Sequence, residues 1–159
     1  MASDRRSHRR RPRRRVRTGL PREPACGVAR VIVLDASVVI AHLASHDAHH
    51  AAATQFFRDH PDEGFLLHAM TLTEVLLGPI RVGRGAVAEQ HLGSLGIAEW
   101  SPGEGGAFRL ARLRVETGLK LPDCCVLDAA MTTRHPLATL DARLARAAVE
   151  VGVAVVDLG

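Results

Sequence analysis

Short apolar stretches alternate along the chain with amphipathic segments and polar turns. Val31–Leu34 is a run of four aliphatic residues, which is typical of a strand buried on both faces in a parallel sheet. Four more strands are predicted over 65–68, 97–100, 137–140 and 153–157. Strands that alternate with helices indicate an α/β fold with right-handed crossovers. We therefore predict a three-layer α/β/α sandwich around a central, mostly parallel sheet.

The segments between these strands carry apolar residues at helical spacing. Asp47 is the expected N-cap of a helix over 47–58. Further helices are predicted over 71–78, 86–95, 107–118, 121–131 and 142–151. Pro79 is expected to interrupt the first of these. In the helix over 107–118, the residues expected to be available to the core are Phe108, Leu110, Ala111 and Leu113.

The charge is distributed unevenly along the 159 residues. Residues 1–30 hold 11 arginines against two acidic residues, a net charge of +9, whereas residues 31–159 hold 10 basic against 15 acidic residues, a net charge of −5. We expect 1–30 to be a disordered arm, which either binds phosphate backbones or has no role. Residues 31–159 are the expected folded domain, which by bulk charge should not bind nucleic acid.

The expected cellular compartment follows from three sequence features that are missing: a transmembrane stretch, a secretory signal and a C-x-x-C motif. No apolar stretch is long enough for a transmembrane helix, and residues 1–30 lack the apolar region of a secretory signal. The three cysteines, Cys26, Cys124 and Cys125, form no C-x-x-C motif, and two of them are adjacent. We expect a cytoplasmic protein without a membrane partner, in which Cys124 and Cys125 are packing residues.

Four histidines cluster in the first helical region, namely His42, His46, His49 and His50. Spacings of four residues could suit a structural zinc site. No cysteine lies nearby and no H-E-x-x-H order appears, so solvated helix histidines are the preferred interpretation.

Four carboxylates occupy equivalent places relative to the predicted strands. Asp35 and Asp141 each follow a strand, and Glu74 and Asp123 lie near helix starts. In a parallel sheet all four positions fall at the carboxyl edge, where crowded carboxylates repel each other unless a cation neutralises them. Oxygen ligands suit Mg²⁺ or Mn²⁺, which can promote phosphodiester cleavage. The alternative is four unrelated helix caps.

The motifs V-L-D-A-S, T-L-T-E, L-P-D and T-L-D, in this order, resemble those of the PIN domain, and more narrowly those of VapC-type toxins from bacterial type II toxin–antitoxin systems. The resemblance runs from about Val31 to Leu158. It implies a Mg²⁺-dependent endoribonuclease, with Mn²⁺ as a possible substitute, that cleaves RNA and inhibits translation. It also implies a cognate antitoxin as partner and a homodimer.

On this resemblance, Asp35 and Asp123 are the principal metal ligands. Glu74 completes the acidic cluster, and Asp141 binds a second metal or a water. All four are therefore candidate catalytic residues.

Three further residues bear on the site. Ser37 and Thr139 match hydroxyl positions of the family and either orient the carboxylates or only cap local structure. Asp128 departs from the family pattern, which has a small apolar residue there. It lies five residues after Asp123, about 140° around a helix, and is expected to be a surface carboxylate.

RNA contacts are the least defined feature. Aromatic residues are 3% of the chain and tyrosine is absent, which disfavours a base-stacking platform. Backbone contacts could come from Arg81, Arg84, Arg109, Arg112, Arg114 or Arg143.

Two other functions remain open. A receiver-like, non-catalytic α/β binding module would also carry an acidic residue after its first strand, but it needs a lysine late in the chain, and the single lysine is Lys120. A metal-dependent nuclease acting on DNA is the other alternative, because metal-assisted hydrolysis does not select the sugar.

Overall fold

Strands and helices alternate in the computed structural model, which describes residues 30–158. In that range the strands are β1 (Val31–Leu34), β2 (Gly64–His68), β3 (Ile97–Trp100) and β4 (Leu137–Ala138). The helices are α1 (Ala36–Leu43), α2 (His50–Asp59), α3 (Ala69–Arg81), α4 (Gly85–Ser94), α5 (Gly106–Thr117), α6 (Leu121–Thr133) and α7 (Ala142–Glu150). The expected disordered arm over 1–30 lies, apart from Arg30, outside the described residues.

The four strands form one parallel sheet in the order β3-β2-β1-β4. The chain proceeds from β1 outward to β2 and β3, then returns to the other side of β1 to form β4. This reversal creates a switch point between β1 and β4, and open α/β sheets bind ligands outside the carboxyl ends of the strands at such a point. The sheet therefore has its expected ligand-binding crevice where Asp35 and Asp141 follow β1 and β4.

Helices cover both faces of the sheet. Ile32 and Leu34 pack against buried residues of α1 to α4, while Val33 packs against buried residues of α5 to α7. All three side chains are fully buried, as the four-residue aliphatic run predicts. The predicted α/β/α sandwich with a parallel sheet is confirmed.

Two helix termini differ from the sequence prediction. The N-cap of α2 is His49, whose backbone N–H donates to Asp47 Oδ1 (2.8 Å), so Asp47 supports the turn before the helix instead of capping it. Pro79 lies inside α3 and does not interrupt it. It is the third residue from the end of α3, so only two helical residues follow the single backbone hydrogen bond that its missing N–H removes.

The prediction for the core-facing residues of α5 is confirmed for two of the four and wrong for the other two. Leu113 is buried and Leu110 is partly buried, whereas Phe108 and Ala111 are exposed. Several small or apolar residues made more than one face of this helix plausible from periodicity alone.

The last predicted strand is reduced to a single bridge between Val155 and Leu137. Leu137 donates its N–H to Ala154 O (2.9 Å), and its own carbonyl accepts from Val156 N–H (2.8 Å). Because β4 has only two residues, it offers too short an edge for a longer ladder. Within residues 30–158, no helix has the length and apolar character needed to cross a membrane.

Candidate metal centre

Asp35 lies immediately after β1, at the N-cap position of α1, yet its side chain makes no capping hydrogen bond. Instead Oδ2 accepts two hydroxyl hydrogen bonds, from Ser37 Oγ (2.5 Å) and Thr139 Oγ1 (2.9 Å). Oδ1 has no hydrogen-bond partner among residues 30–158. The carboxylate is thus held by one oxygen while the other stays available as a ligand.

The two hydroxyls tie this carboxylate to the end of the neighbouring strand. Ser37 Oγ accepts from the backbone N–H of Leu140 (3.1 Å), and Thr139 Oγ1 accepts from that of Asp141 (3.0 Å). Each hydroxyl therefore accepts a hydrogen bond from a backbone N–H and donates one to Asp35. Of the two roles left open by the sequence, this geometry favours orientation of the carboxylate over helix capping.

Glu74 and Asp123 come from the helices that flank the crevice, in the second turn of α3 and the first turn of α6. Burial raises the pKa of Glu74, and the negative charges of Asp35 and Asp123 raise it further. Burial likewise raises the pKa of Asp123, with a contribution from the charges of Asp35 and Asp141, while the backbone and charge of Lys120 oppose it. The sheet therefore brings the four predicted carboxylates within electrostatic reach of one another.

Asp141 differs from the other three because it is exposed and caps a helix. Its Oδ1 accepts from the backbone N–H groups of Arg143 (2.7 Å) and Leu144 (3.1 Å) at the start of α7. Capping thus describes Asp141 but not Asp35. Asp141 is at the edge of the cluster, with one oxygen already engaged.

The donor set of the cluster is oxygen only, which fits a hard divalent cation. Within residues 30–158, no three His, Cys, Asp or Glu side chains already converge as a complete metal-binding group. Mg²⁺ commonly binds through one or two carboxylates and retains several waters, so it does not require such a cage. The mutual repulsion of the carboxylates and the free Oδ1 of Asp35 fit a cation of this kind.

The clustered histidines are not all solvated, contrary to the preferred interpretation. His42 is partly buried, with Nδ1 3.1 Å from Thr54 Oγ1 and Nε2 3.1 Å from His91 Nε2, and His50 Nδ1 lies 2.9 Å from Ala41 O. Burial lowers the pKa of His42, and the nearby charges of His91, His50 and Arg58 lower it further. These rings connect α1 to α2 and α4.

Asp128 was predicted to be a surface carboxylate, and this is wrong. It is only 2% exposed and accepts two hydrogen bonds from the guanidinium of Arg109, at 2.8 and 3.2 Å. This side of α6 is covered by α5, which supplies the arginine. The paired arginine belongs to another helix, so helical spacing could not reveal it.

The adjacent cysteines are buried packing residues, as expected. Burial raises the pKa of Cys124 and raises that of Cys125 to about 11, which keeps both thiols protonated and poorly nucleophilic.

His68 is a buried polar residue at the same sheet edge that the sequence did not single out. Its Nδ1 accepts from the backbone N–H of Met70 (3.0 Å) and so caps α3, while Nε2 has no partner among the described residues. The ring centroid lies 5.6 Å from that of Trp100. The only sequence feature that could have selected His68 is its position at the end of a strand, and histidines at strand ends serve too many roles for that position to indicate one.

The family model of the PIN domain matches residues 32–150. The chain belongs to the PIN domain family. The match spans all four carboxylates, and with it the receiver-like alternative loses its support. Among curated proteins, none matches the sequence significantly.

Solved structures share this PIN fold at low sequence identity. A toxin–antitoxin complex from Klebsiella pneumoniae is 22% identical, with a TM-score of 0.63, covering 80% of this chain and 98% of that one. VapC20 of Mycobacterium tuberculosis, described as a Sarcin-Ricin loop cleaving toxin, is 15% identical, with a TM-score of 0.64 over 79% and 98% of the two chains. FitAcB from Neisseria gonorrhoeae is 21% identical, with a TM-score of 0.60 over 80% and 97%. At these identities the likeness is one of fold.

Proposed function

We propose that this PIN domain is a Mg²⁺-dependent endoribonuclease, with Mn²⁺ as a possible substitute, and the toxin component of a toxin–antitoxin pair. The main support is the placement of four carboxylates at the carboxyl edge of the sheet, beside the switch point. Burial raises the pKa values of Glu74 and Asp123, and the charges of the neighbouring carboxylates raise them further. The names of the structural neighbours, which include a toxin described as cleaving the Sarcin-Ricin loop, support RNA as the substrate.

Each carboxylate has a part in this proposal. Asp35 and Asp123 are the principal ligands, Glu74 completes the negative cluster, and Asp141 holds a water or a second cation with its uncapped oxygen. A bound divalent cation supplies positive charge and a more acidic water for phosphodiester hydrolysis. Ser37 and Thr139 keep Asp35 in position, because both donate to the same oxygen.

The test is cleavage of labelled RNA by the purified full chain, with Mg²⁺ and with EDTA. We expect cleavage only with Mg²⁺, and a loss of at least 100-fold for Asp35→Asn, which removes charge without changing shape. Asp62→Asn, at an exposed turn, is the matched control and should cleave normally. Cleavage that persists in EDTA or in Asp35→Asn would refute the proposed mechanism, and preference for DNA of the same sequence would refute the substrate.

Cell-free translation with the same variants tests the proposed inhibition of protein synthesis.

We also propose an antitoxin that binds beside the carboxylates. A groove of about 610 Å³ lies between α1, α3 and α4, and apolar side chains such as Ile40, Val82 and Val87 line it. Glu74 lines the same groove, so an amphipathic segment lying there reaches the acidic cluster. A basic side chain of the partner would pair with the carboxylates in place of the metal.

Competition distinguishes this mode of inhibition from steric blocking elsewhere. Higher Mg²⁺ should weaken inhibition by the antitoxin, and an Arg→Ala change in the antitoxin should do the same. Val87→Asp, which charges the groove away from the carboxylates, should weaken inhibition while cleavage stays normal. Inhibition unaffected by all three changes would contradict the mechanism.

We further propose that the protein is a homodimer. Phe108 and Val115 lie on one face of α5, seven residues apart, and remain 71% and 85% exposed. Apolar side chains this exposed are available for self-association. Light scattering of the wild-type chain should give the dimer mass, and the Phe108→Asp/Val115→Asp variant should give the monomer mass. A monomeric wild type would contradict this proposal.

A further inference from the structure

Two arginines from different helices meet at one backbone carbonyl. Arg114 on α5 donates from Nη1 to Gly118 O (3.1 Å), and Arg143 on α7 donates from Nη2 to the same oxygen (2.8 Å). Arg114 also donates to Leu119 O. Gly118 ends α5 with a φ of 65°, a conformation that suits glycine and turns the chain toward α6.

The two guanidinium groups form a concentrated positive charge. Because both nitrogens contact the same oxygen, they lie within about 6 Å of each other, a distance at which like charges repel. Both side chains are exposed, and within residues 30–158 neither is in an ion pair with a carboxylate. Each guanidinium has five N–H donors and uses few of them here, so donors remain for an anion.

The other arginines of α5 are already engaged. Arg109 pairs with the buried Asp128, and Arg112 pairs with Glu116 one turn away on the helix surface. Of the three arginines that the sequence offers on this helix, only Arg114 therefore keeps its charge uncompensated in the described part of the chain.

The arginine pair adjoins the acidic cluster. Arg143 is two residues after Asp141, and the loop that carries Gly118 leads into α6, whose third residue is Asp123. The backbone N–H of Arg143 also donates to Asp141 Oδ1 (2.7 Å). Positive and negative groups thus lie side by side along the start of α6.

We propose that Arg114 and Arg143 form a binding site for the phosphate backbone of the RNA substrate, next to the phosphate that is cleaved. This inference rests on the proposed function and adds the position of the RNA to it. A backbone phosphate relieves the repulsion between the two guanidiniums, and an arginine fork binds phosphate oxygens in two-point contacts. The domain is acidic as a whole, so local placement of the pair, not bulk charge, directs the RNA.

Binding of a fluorescein-labelled single-stranded RNA to the full chain, in EDTA and over a series of salt concentrations, tests this site without requiring cleavage. Arg114→Ala/Arg143→Ala should weaken binding at least tenfold. It should also reduce the slope of log affinity against log salt by about 1.4, since each phosphate contact contributes about 0.7 for a single strand.

The matched control is Arg112→Ala/Arg146→Ala, which removes the same charge from exposed positions of the same two helices. It should bind RNA nearly as the wild type does. The arginine-rich residues 1–30 are present in every variant, so their contribution cancels in the comparison.

A charge-preserving variant separates binding from support of the loop. Arg114→Lys/Arg143→Lys should keep the salt dependence and recover part of the affinity, because lysine restores the charges but not the two-point contacts. Equal loss of affinity in the alanine pair and its control would overturn the inference, as would no recovery in the lysine pair when thermal unfolding shows it folded. If RNA binding follows the arginine pair but no Mg²⁺-dependent cleavage is found, the proposed activity fails and the binding site stands.

Discussion

Thr139 illustrates how single hydroxyl groups position the site. Its Oγ1 accepts a hydrogen bond from the backbone N–H of Asp141 and donates one to Asp35 Oδ2. These two bonds link the ends of β4 and β1. Without the hydroxyl, Asp35 keeps only the hydrogen bond from Ser37, and its free oxygen loses part of its orientation.

We predict that Thr139→Val, which preserves side-chain shape, lowers Mg²⁺ affinity and the cleavage rate about 10- to 100-fold, the usual effect of losing a group that orients a metal ligand. Thr139→Ser should restore most of both. The control is Thr133→Val, because that hydroxyl bonds only to a helix carbonyl, Ala129 O. Metal titration calorimetry and initial rates are the measurements, and an inactive Thr139→Ser would speak against a role for the hydroxyl.

His42 gives a prediction about pH and stability. Its pKa in the folded protein is lowered, mainly by burial and then by the charges of His91, His50 and Arg58. The unfolded chain therefore binds the proton more readily, and the neutral ring stabilises the fold above the unfolded pKa of about 6.5. This stabilisation is lost as the pH falls from there through the lower, folded pKa.

Urea unfolding of wild type and His42→Gln at several pH values isolates this contribution. Wild type should exceed the variant in free energy of unfolding most clearly near neutral pH, and the difference should shrink as the pH falls toward about 5. Glu74 and Asp123, whose pKa values are raised, have the opposite effect on the pH dependence of stability. Both proteins contain these carboxylates, so their contribution cancels in the difference between the two free energies of unfolding. Parallel pH profiles would show that His42 is not the group responsible.

At the scale of elements, the pair Arg109–Asp128 connects α5 to α6. The two partners are unequal, since the Asp128 side chain is 3% exposed and that of Arg109 is 37% exposed. We predict that Arg109→Ala destabilises the protein more than Asp128→Asn does. The first change leaves a buried carboxylate without a counter-charge, whereas the second leaves an arginine that can turn to solvent. Urea unfolding of both variants would contradict this if Asp128→Asn proved the more damaging.

Elements and their order follow from the sequence where a local pattern determines them. The β1 run, the strand–helix alternation and the acidic residue after β1 are each visible within a few residues. Contacts between distant helices are not, which explains the errors at Phe108 and Asp128. The four carboxylates were found because the carboxyl edge of a parallel sheet gathers residues by a simple rule. The convergence of Arg114 and Arg143 on Gly118 follows no such rule and needed the structure.

At the scale of the whole molecule, the domain is expected to fold and act without the arginine-rich arm. Arg30 is the first described residue, and its carbonyl accepts from Gly64 N–H (3.0 Å) beside the β1–β2 ladder. A chain that begins at Ala29 keeps this bond. We predict that it melts within a few degrees of the full chain and cleaves saturating RNA at the same rate. Non-specific RNA binding should fall, because residues 1–28, which carry a net charge of +8, are removed. Loss of folding would place the domain boundary earlier.

The central claim is that the four carboxylates repel each other until a divalent cation neutralises them. Glu74 tests it most directly, because its pKa is raised by burial, Asp35 and Asp123, and no hydrogen bond holds its side chain within residues 30–158. The measurement is urea unfolding of wild type and Glu74→Gln at neutral pH, with and without Mg²⁺, with Asp62→Asn as the control. Without metal, Glu74→Gln should be the more stable protein. With Mg²⁺ the order should reverse, since the wild type gains about 2.7 kcal/mol at a metal concentration 100-fold above its Kd. If Glu74→Gln is less stable without metal and Mg²⁺ leaves the wild type unchanged, the carboxylates do not form a metal centre.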